Sequence, residues 1–236
     1  MENNDNNTGK QPIVHLENVC INHENGPLLK NVNLNIEEGD FVYLIGRSGA
    51  GKTSLLRSLY ADRPIESGIA SVCGTDIINI KRRHIPQLRR KIGIIFQSFR
   101  LLNDRNVSAN LEFVLRATGW KKKNEINSQI EKTLKAVGIA DKANIMPECL
   151  SEGEQQRLGI ARALANNPSL ILADEPTGNL DPVTSSEIMQ LLVDINRETK
   201  TTMLISTHDF MMIDKFPARV VGCEQGTLVD TEHTAQ

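Results

Sequence analysis

Gly46-Arg47-Ser48-Gly49-Ala50-Gly51-Lys52-Thr53 is the stretch with the clearest chemistry. It fits G-x-x-x-x-G-K-[ST], the pattern of a phosphate-binding loop. Glycine lets the backbone turn through angles that other residues avoid. Successive N–H groups then point inward and, with the N-terminus of the next helix, cradle an anion. In such a loop Lys52 reaches the β- and γ-phosphates of a nucleotide, and the Thr53 hydroxyl holds Mg²⁺. A flexible Gly/Ser turn is the bland alternative, and the flanks argue against it. Phe41 to Ile45 is a buried-strand run before the loop, and Ser54 to Leu59 is a helical pattern after it. Gly46 to Ser54 are therefore the expected nucleotide cradle.

Three other positions put polar groups just past apolar runs. Asp174-Glu175 follow Leu170-Ile171-Leu172-Ala173, Gln97 follows Ile92 to Phe96, and His208 follows the run 203–205. Ligands of open α/β sheets bind at the carboxyl ends of strands. A carboxylate there binds Mg²⁺, and a second beside it orients and polarises a water. Asp174 is expected on the metal and Glu175 on the water. The plainer use of Asp174 is to cap a helix. His208 could sense a γ-phosphate, and the Gln97 amide could ligate Mg²⁺ or water. The expected catalytic set is thus Glu175, His208 and Gln97, and the expected metal set Thr53, Gln97 and Asp174.

The elements that must position these groups follow from periodicity. Residues 13–19 and 28–36 alternate and are β-like, and Gly68 to Gly74 is a short strand with a glycine turn. Ile85 to Arg90 reads as a short helix with Pro86 in its first turn. From Val107 to Ile145 the pattern turns helical, with Ile126, Ile130, Leu134 and Val137 in register. Helices are expected over 151–166, 182–197 and 209–216, strands over 170–173 and 201–206, and a last hairpin around Gly226. Alternating strands and helices predict an α/β fold with a mainly parallel sheet. The early β-rich part is expected to form an antiparallel layer. The expected organisation is a polar tail at 1–11, one domain at 12–231 with a helical subdomain at about 98–165, and a tail at 232–236.

The totals set limits. The chain has 236 residues and a formal net charge of -2, so no global basic field points to nucleic acid. No apolar run approaches the ~18 residues needed to span a bilayer. The first residues lack the features of a secretory signal. Cys20, Cys73, Cys149 and Cys223 are scattered, with no C-x-x-C pair, and reduced thiols are expected.

Leu150-Ser151-Glu152-Gly153-Glu154-Gln155-Gln156-Arg157 resembles the signature sequence of ABC ATPases. The order of phosphate loop, Gln97, signature, Asp174-Glu175, Asn179-Leu180-Asp181 and His208 is similar to that of ABC nucleotide-binding domains over about residues 12–231. The fold so implied is the P-loop NTPase fold of that family. Residues 174–181 resemble the branch that includes lipoprotein-release, MacB-type efflux and FtsE-type cell-division ATPases. Residues 96–107 look most like the cell-division type.

The resemblance implies an ATPase using ATP and Mg²⁺. Two cassettes pack head to tail, so that Ser151 and the Gly153 backbone of one meet the γ-phosphate held by Lys52 of the other. Asn179 and Asp181 communicate between the two sites. The resemblance also implies an FtsX-like membrane partner, a peripheral place on the cytoplasmic face of the cell membrane, and signalling to cell-wall hydrolases. A lipoprotein-release or MacB-type exporter is the alternative. Two positions depart from the family pattern. Glu152 replaces the first glycine of the signature and is expected to face solvent. His23 stands where an aromatic residue stacks on adenine, which would loosen base selection.

Lys81-Arg82-Arg83 with Arg89-Arg90-Lys91, and Lys121-Lys122-Lys123, are basic clusters. A solvated helix face is the plainer reading of each, and attraction to an anionic leaflet the alternative. Trp120 is read as half-buried, and Phe99 as a partner anchor or a core residue.

Overall fold

A computed structural model describes residues 12–23 and 26–230, apart from the side chains of His23 and Pro27. The tail expected at 1–11 and the end beyond 230 lie outside the described residues, as does the His23 side chain.

Two sheets form the frame. The first has the order β2-β1-β4-β5 and is antiparallel. Its strands are β1 (Val14–His23), β2 (Gly26–Ile36), β4 (Ser67–Val72) and β5 (Thr75–Asp76). This is the early β layer that the alternation predicts. The second sheet has the order β10-β9-β3-β8-β7-β6. It contains β3 (Phe41–Ile45), β6 (Ile92–Ile95), β7 (Leu170–Asp174), β8 (Thr202–Thr207), β9 (Arg219–Glu224) and β10 (Thr227–Asp230). All its pairings are parallel except the β9–β10 hairpin. β7 and β8 are buried over almost their whole length, as a sheet covered on both faces requires.

The helices fall where the 3.6-residue pattern puts them. They are α1 (Lys52–Leu59), α2 (Ile85–Arg89), α3 (Val107–Thr118), α4 (Lys123–Ala136), α5 (Glu152–Leu164), α6 (Pro182–Thr199) and α7 (Phe210–Lys215). Ser151 lies just outside α5 as its N-cap, which moves the expected helix start by one residue. Two apolar cores divide the molecule. One packs the antiparallel layer and α1 against one face of the parallel sheet, through Leu16, Ile36, Leu55 and Leu204. The other packs α3, α4, α5 and α6 on the opposite face, through Leu111, Ile130, Leu158, Ile171 and Leu192.

Two polar devices fix the helical part. Asn110 is fully buried on α3. Its Oδ1 accepts from Leu102 N at 3.0 Å, and its Nδ2 donates to the carbonyls of Leu102, Arg105 and Asn106 at 3.0–3.1 Å. One amide thus ties the loop after β6 to the helix. At α5, Ser151 Oγ accepts from Glu154 N, and Glu154 Oε2 accepts from Ser151 N at 2.9 Å, a reciprocal cap. That backbone bond leads the causes holding the Glu154 carboxyl below its usual range, with Ser151 Oγ and Lys142 adding to it.

Two outcomes are expected. Asn110→Ala leaves buried backbone groups unpaired, costing about 2–3 kcal/mol in urea unfolding and opening the loop to protease. Glu154 has a depressed pKa when folded, so its contribution is complete above the unfolded value of about 4.3 and lost as pH falls through the folded value. The stability gap between wild type and Glu154→Gln is therefore widest near neutral pH and closes in acid.

Candidate functional site

The phosphate-loop segment leaves β3 and turns into α1. Gly51 takes φ 109° as the left-handed N-cap of α1. Gly46 has φ 152°, and a Cβ there would lie 2.5 Å from the Cys223 carbonyl oxygen on β9, so no side chain fits. Cys223 also donates its thiol to the Ala50 carbonyl at 3.0 Å. Burial pushes that thiol up in pKa. The last hairpin thus braces the loop from behind.

In front of the loop is a cleft of about 820 Å³, within the usual size of a ligand site. Its walls include Gly49, Gly51, Lys52, Thr53 and Ser54 from the loop and helix start, with Ser48 and Ala50. Facing them are Asp174, the last residue of β7, and Gln97, Glu175 and His208, which stand just past the neighbouring strands β6, β7 and β8. Four residues chosen from three separate apolar runs therefore share one cleft with the loop. Gly46 and Arg47 do not line it. Their carbonyls receive Lys52 Nζ, at 2.7 and 3.4 Å.

The charges are closely coupled. Lys52 Nζ lies 3.8 Å from Glu175 Oε1. Glu175 Oε2 lies 2.8 Å from His208 Nδ1. Thr53 Oγ1 donates to Asp174 Oδ1 at 3.1 Å. Asp174 ends β7 as a strand residue, so the helix-cap alternative does not hold for it.

Ser206 is the residue that motif reasoning missed. It pairs with Asp174 across β7–β8 and is fully buried. Its hydroxyl donates to Asp174 Oδ1 at 2.7 Å and accepts from Glu175 N at 3.1 Å. Glu175 N also reaches the Ser206 carbonyl. Glu175 itself has φ 47°, a left-handed conformation costly for a side-chain-bearing residue. The Ser206 contacts hold it there. A serine at the carboxyl end of an apolar strand, two residues before His208, was the available signal.

Ser151, Gly153 and Asp181 are not in this cleft. Asp181 caps α6, accepting from Val183 N and Thr184 N at 3.0 and 3.1 Å. Hydrogen bonds from Thr184 and Val183 hold its carboxyl below the usual range, that of the Thr184 side chain first. Gly153 packs so tightly on Thr184 that a Cβ would come within 2.7 Å of its Cγ2. The starts of α5 and α6 thus lie side by side on a separate surface. Glu152 is exposed, as expected. Asn179 Nδ2 donates to the Gln97 carbonyl at 3.0 Å and so ties the segment before α6 to the loop after β6. Val183 at the start of α6 is 71% exposed, and Phe210 and Met211 at the start of α7 are 63% and 77% exposed.

A second concavity, of about 180 Å³, lies between β6 and the helical part. Phe96, Phe99, Val114, Gly159 and Arg162 line it. Phe99 is half-buried there. Among the described residues, no helix is long and apolar enough to cross a membrane, and all four cysteines are free thiols.

Comparison with known proteins agrees with this arrangement. The profile of the ABC transporter family matches residues 29–178. The cell division ATP-binding protein FtsE of Mycobacterium tuberculosis is 47% identical over 206 residues, covering 87% of this chain and 89% of that protein. The methionine import ATP-binding protein MetN 2 of Bacillus cereus is 41% identical over 203 residues, covering 86% of this chain and 59% of that protein. Among solved structures, a dimeric post-hydrolysis state of the ATP-binding cassette MJ0796, bound to ADP and Pi, superposes with a TM-score of 0.81. It is 36% identical and covers 91% of this chain and 96% of that one. A glycine-rich loop of the phosphate-binding pattern, polar residues gathered at three strand ends, and relatives matched along most of the sequence lead to one assignment: this chain belongs to the ABC transporter family and has the fold of its ATP-binding cassettes.

Proposed function

We propose that the chain binds ATP with Mg²⁺ in the 820 Å³ cleft and hydrolyses it, as the ATPase subunit of an FtsEX-like membrane complex. The observation that carries this reading is the 47% identity to an FtsE protein through 89% of that relative's length. The match to MetN 2 runs through 59% of that relative. The partner in this reading is an FtsX-like integral membrane protein. The chain then lies on the cytoplasmic face of the cell membrane and signals to cell-wall hydrolases during division.

The residues suit both groups. Thr53, Gln97 and Asp174 offer hydroxyl, amide and carboxylate oxygens, the hard donors that Mg²⁺ prefers in small number. Mg²⁺ held there would neutralise charge on phosphate oxygens. The loop N–H groups and Lys52 bind the phosphates, as far as Ser54 at the helix start. Glu175 is the base. Its Oε2 rests on His208 and its backbone on Ser206, so the carboxylate is fixed in position to orient a water and take its proton. His208 orients Glu175 and reaches towards the γ-phosphate. Gln97 completes the catalytic set from the third strand end. His23 is proposed against the base.

Ser151, Gly153 and Asp181 lie away from their own chain's cleft, which supports a site completed by a second copy. In that pairing the α5 start, with free N–H groups, meets the γ-phosphate. The exposed Val183, Phe210 and Met211 are apolar surface for such a contact. ATP favours the closed pair because it binds that state better. The Asn179–Gln97 link and the Asn110-pinned loop carry closure to the Phe96–Phe99 groove, the proposed seat of the membrane partner.

Three outcomes test this. Lys52→Ala weakens ATP affinity about ten-fold or more, read by equilibrium binding; unchanged affinity overturns the loop assignment. Glu175→Gln keeps ATP binding, loses about 10²–10⁴-fold in turnover and accumulates as a nucleotide-bound dimer on size-exclusion chromatography. Wild-type turnover in that variant removes Glu175 from its role. Copurification from native membranes recovers an FtsX-like protein. Recovery of a lipoprotein-sorting, MacB-type or methionine permease instead replaces the division reading and leaves the ATPase intact.

A further inference from the structure

Two basic clusters that are thirty residues apart in sequence meet on one face. Trp120 Nε1 donates to Asn166 Oδ1 at 2.9 Å, and Asn166 Nδ2 donates to the Arg90 carbonyl at 2.7 Å. Asn166 thus fastens the α3–α4 turn, with Lys121, Lys122 and Lys123, to the end of α2, with Arg89, Arg90 and Lys91. All six cations are exposed. Lys122 pairs with Glu125 at 2.8 Å, Arg89 lies 3.6 Å from Asp62 and donates to the Tyr60 carbonyl at 3.0 Å, and Lys91 donates to the Cys73 carbonyl at 2.9 Å. No acidic partner is recorded among the described residues for Arg90, Lys121 or Lys123.

Helix stability does not account for the lysines. They crowd the N-terminal end of α4, where the helix dipole disfavours cations and like charges repel. A solvated helix face would not need them at that end. The chain's formal net charge is -2, so this is a local face and not a general basicity. The face borders the groove proposed to seat the membrane partner, since Arg89, Arg90, Thr118 and Asn166 line that groove. Half-buried Trp120, next to Lys121, packs on the helical core and carries the amphipathic ring favoured at membrane interfaces.

We propose that the surface formed by Arg90, Trp120 and Lys121–Lys123 rests directly on anionic phospholipid headgroups, a contact separate from the one to the membrane protein. The choice of a bilayer over other polyanions rests on the proposed membrane partner. Each exposed cation adds attraction to an anionic leaflet within about a Debye length, and together they hold the groove side towards the membrane.

The test uses the purified full chain with no partner protein. Vesicles of phosphatidylcholine, with or without phosphatidylglycerol, are added at low and high salt. Binding is read by flotation and by quenching of Trp120, the chain's single tryptophan, with brominated lipid. The expected result is binding to the phosphatidylglycerol vesicles, its release by salt, and quenching of Trp120. The triple variant Arg90→Glu/Lys121→Glu/Lys123→Glu weakens binding about ten-fold or more. A control of equal charge change, Lys30→Glu/Lys132→Glu/Arg197→Glu, weakens it much less. Four results would overturn the proposal: no preference for anionic vesicles, equal loss in both triple variants, no quenching of Trp120, or tighter binding to duplex DNA than to the vesicles. ATP binding measured on the same samples reports the nucleotide reading separately, and the partner reading is not touched by either result.

Discussion

The site depends on one hydroxyl. Ser206 donates to Asp174 and accepts from the Glu175 backbone, and so sets both carboxylates with one side chain. It can do so because β7 and β8 run parallel with Asp174 opposite Ser206. A shift of one residue in that register would turn Ser206 to the other face of the sheet and release Glu175 from its left-handed turn. The long apolar runs of β7 and β8, buried on both faces, are what hold the register. Core packing is therefore the source of precision at the carboxylates, more than any contact within the cleft.

Much of this could be seen in the residue order, because the relevant signals are local. A glycine-rich turn between an apolar run and a helical run specifies a loop wherever it occurs. Gln97, Asp174 and His208 could be grouped because each ends an apolar run, and parallel strands bring such ends to one edge. Ser206, one step inside its strand end, carried only the weak signal of that position, and Cys223 carried none. Each is a small residue inside a strand, and its role comes from a partner segment far away in sequence. Asn110 was hidden for a similar reason, since an asparagine on a helical stripe looks solvent-facing until the loop it binds is seen.

Asp181, Ser151 and Gly153 show the opposite case. Their motif positions were plain, but the single chain places them outside the cleft. Asp181 and Ser151 are occupied with capping α6 and α5. The S-x-x-E spacing of Ser151 and Glu154 announces that cap. In the proposed pairing, this side-by-side pair of capped helix ends is what faces the second copy.

The strand order also governs when the cradle can exist. β3, which launches the phosphate loop, is made early, but both of its neighbours, β8 and β9, come from the last part of the chain. Cys223 on β9 then backs the loop. During synthesis the loop emerges from the ribosome long before the strands that flank and brace it, so the nascent segment has to wait as an unpaired apolar strand. High contact order of this kind slows folding and exposes an edge meanwhile. A ribosome stalled before residue 219 would carry the entire glycine-lysine motif and still lack its backing.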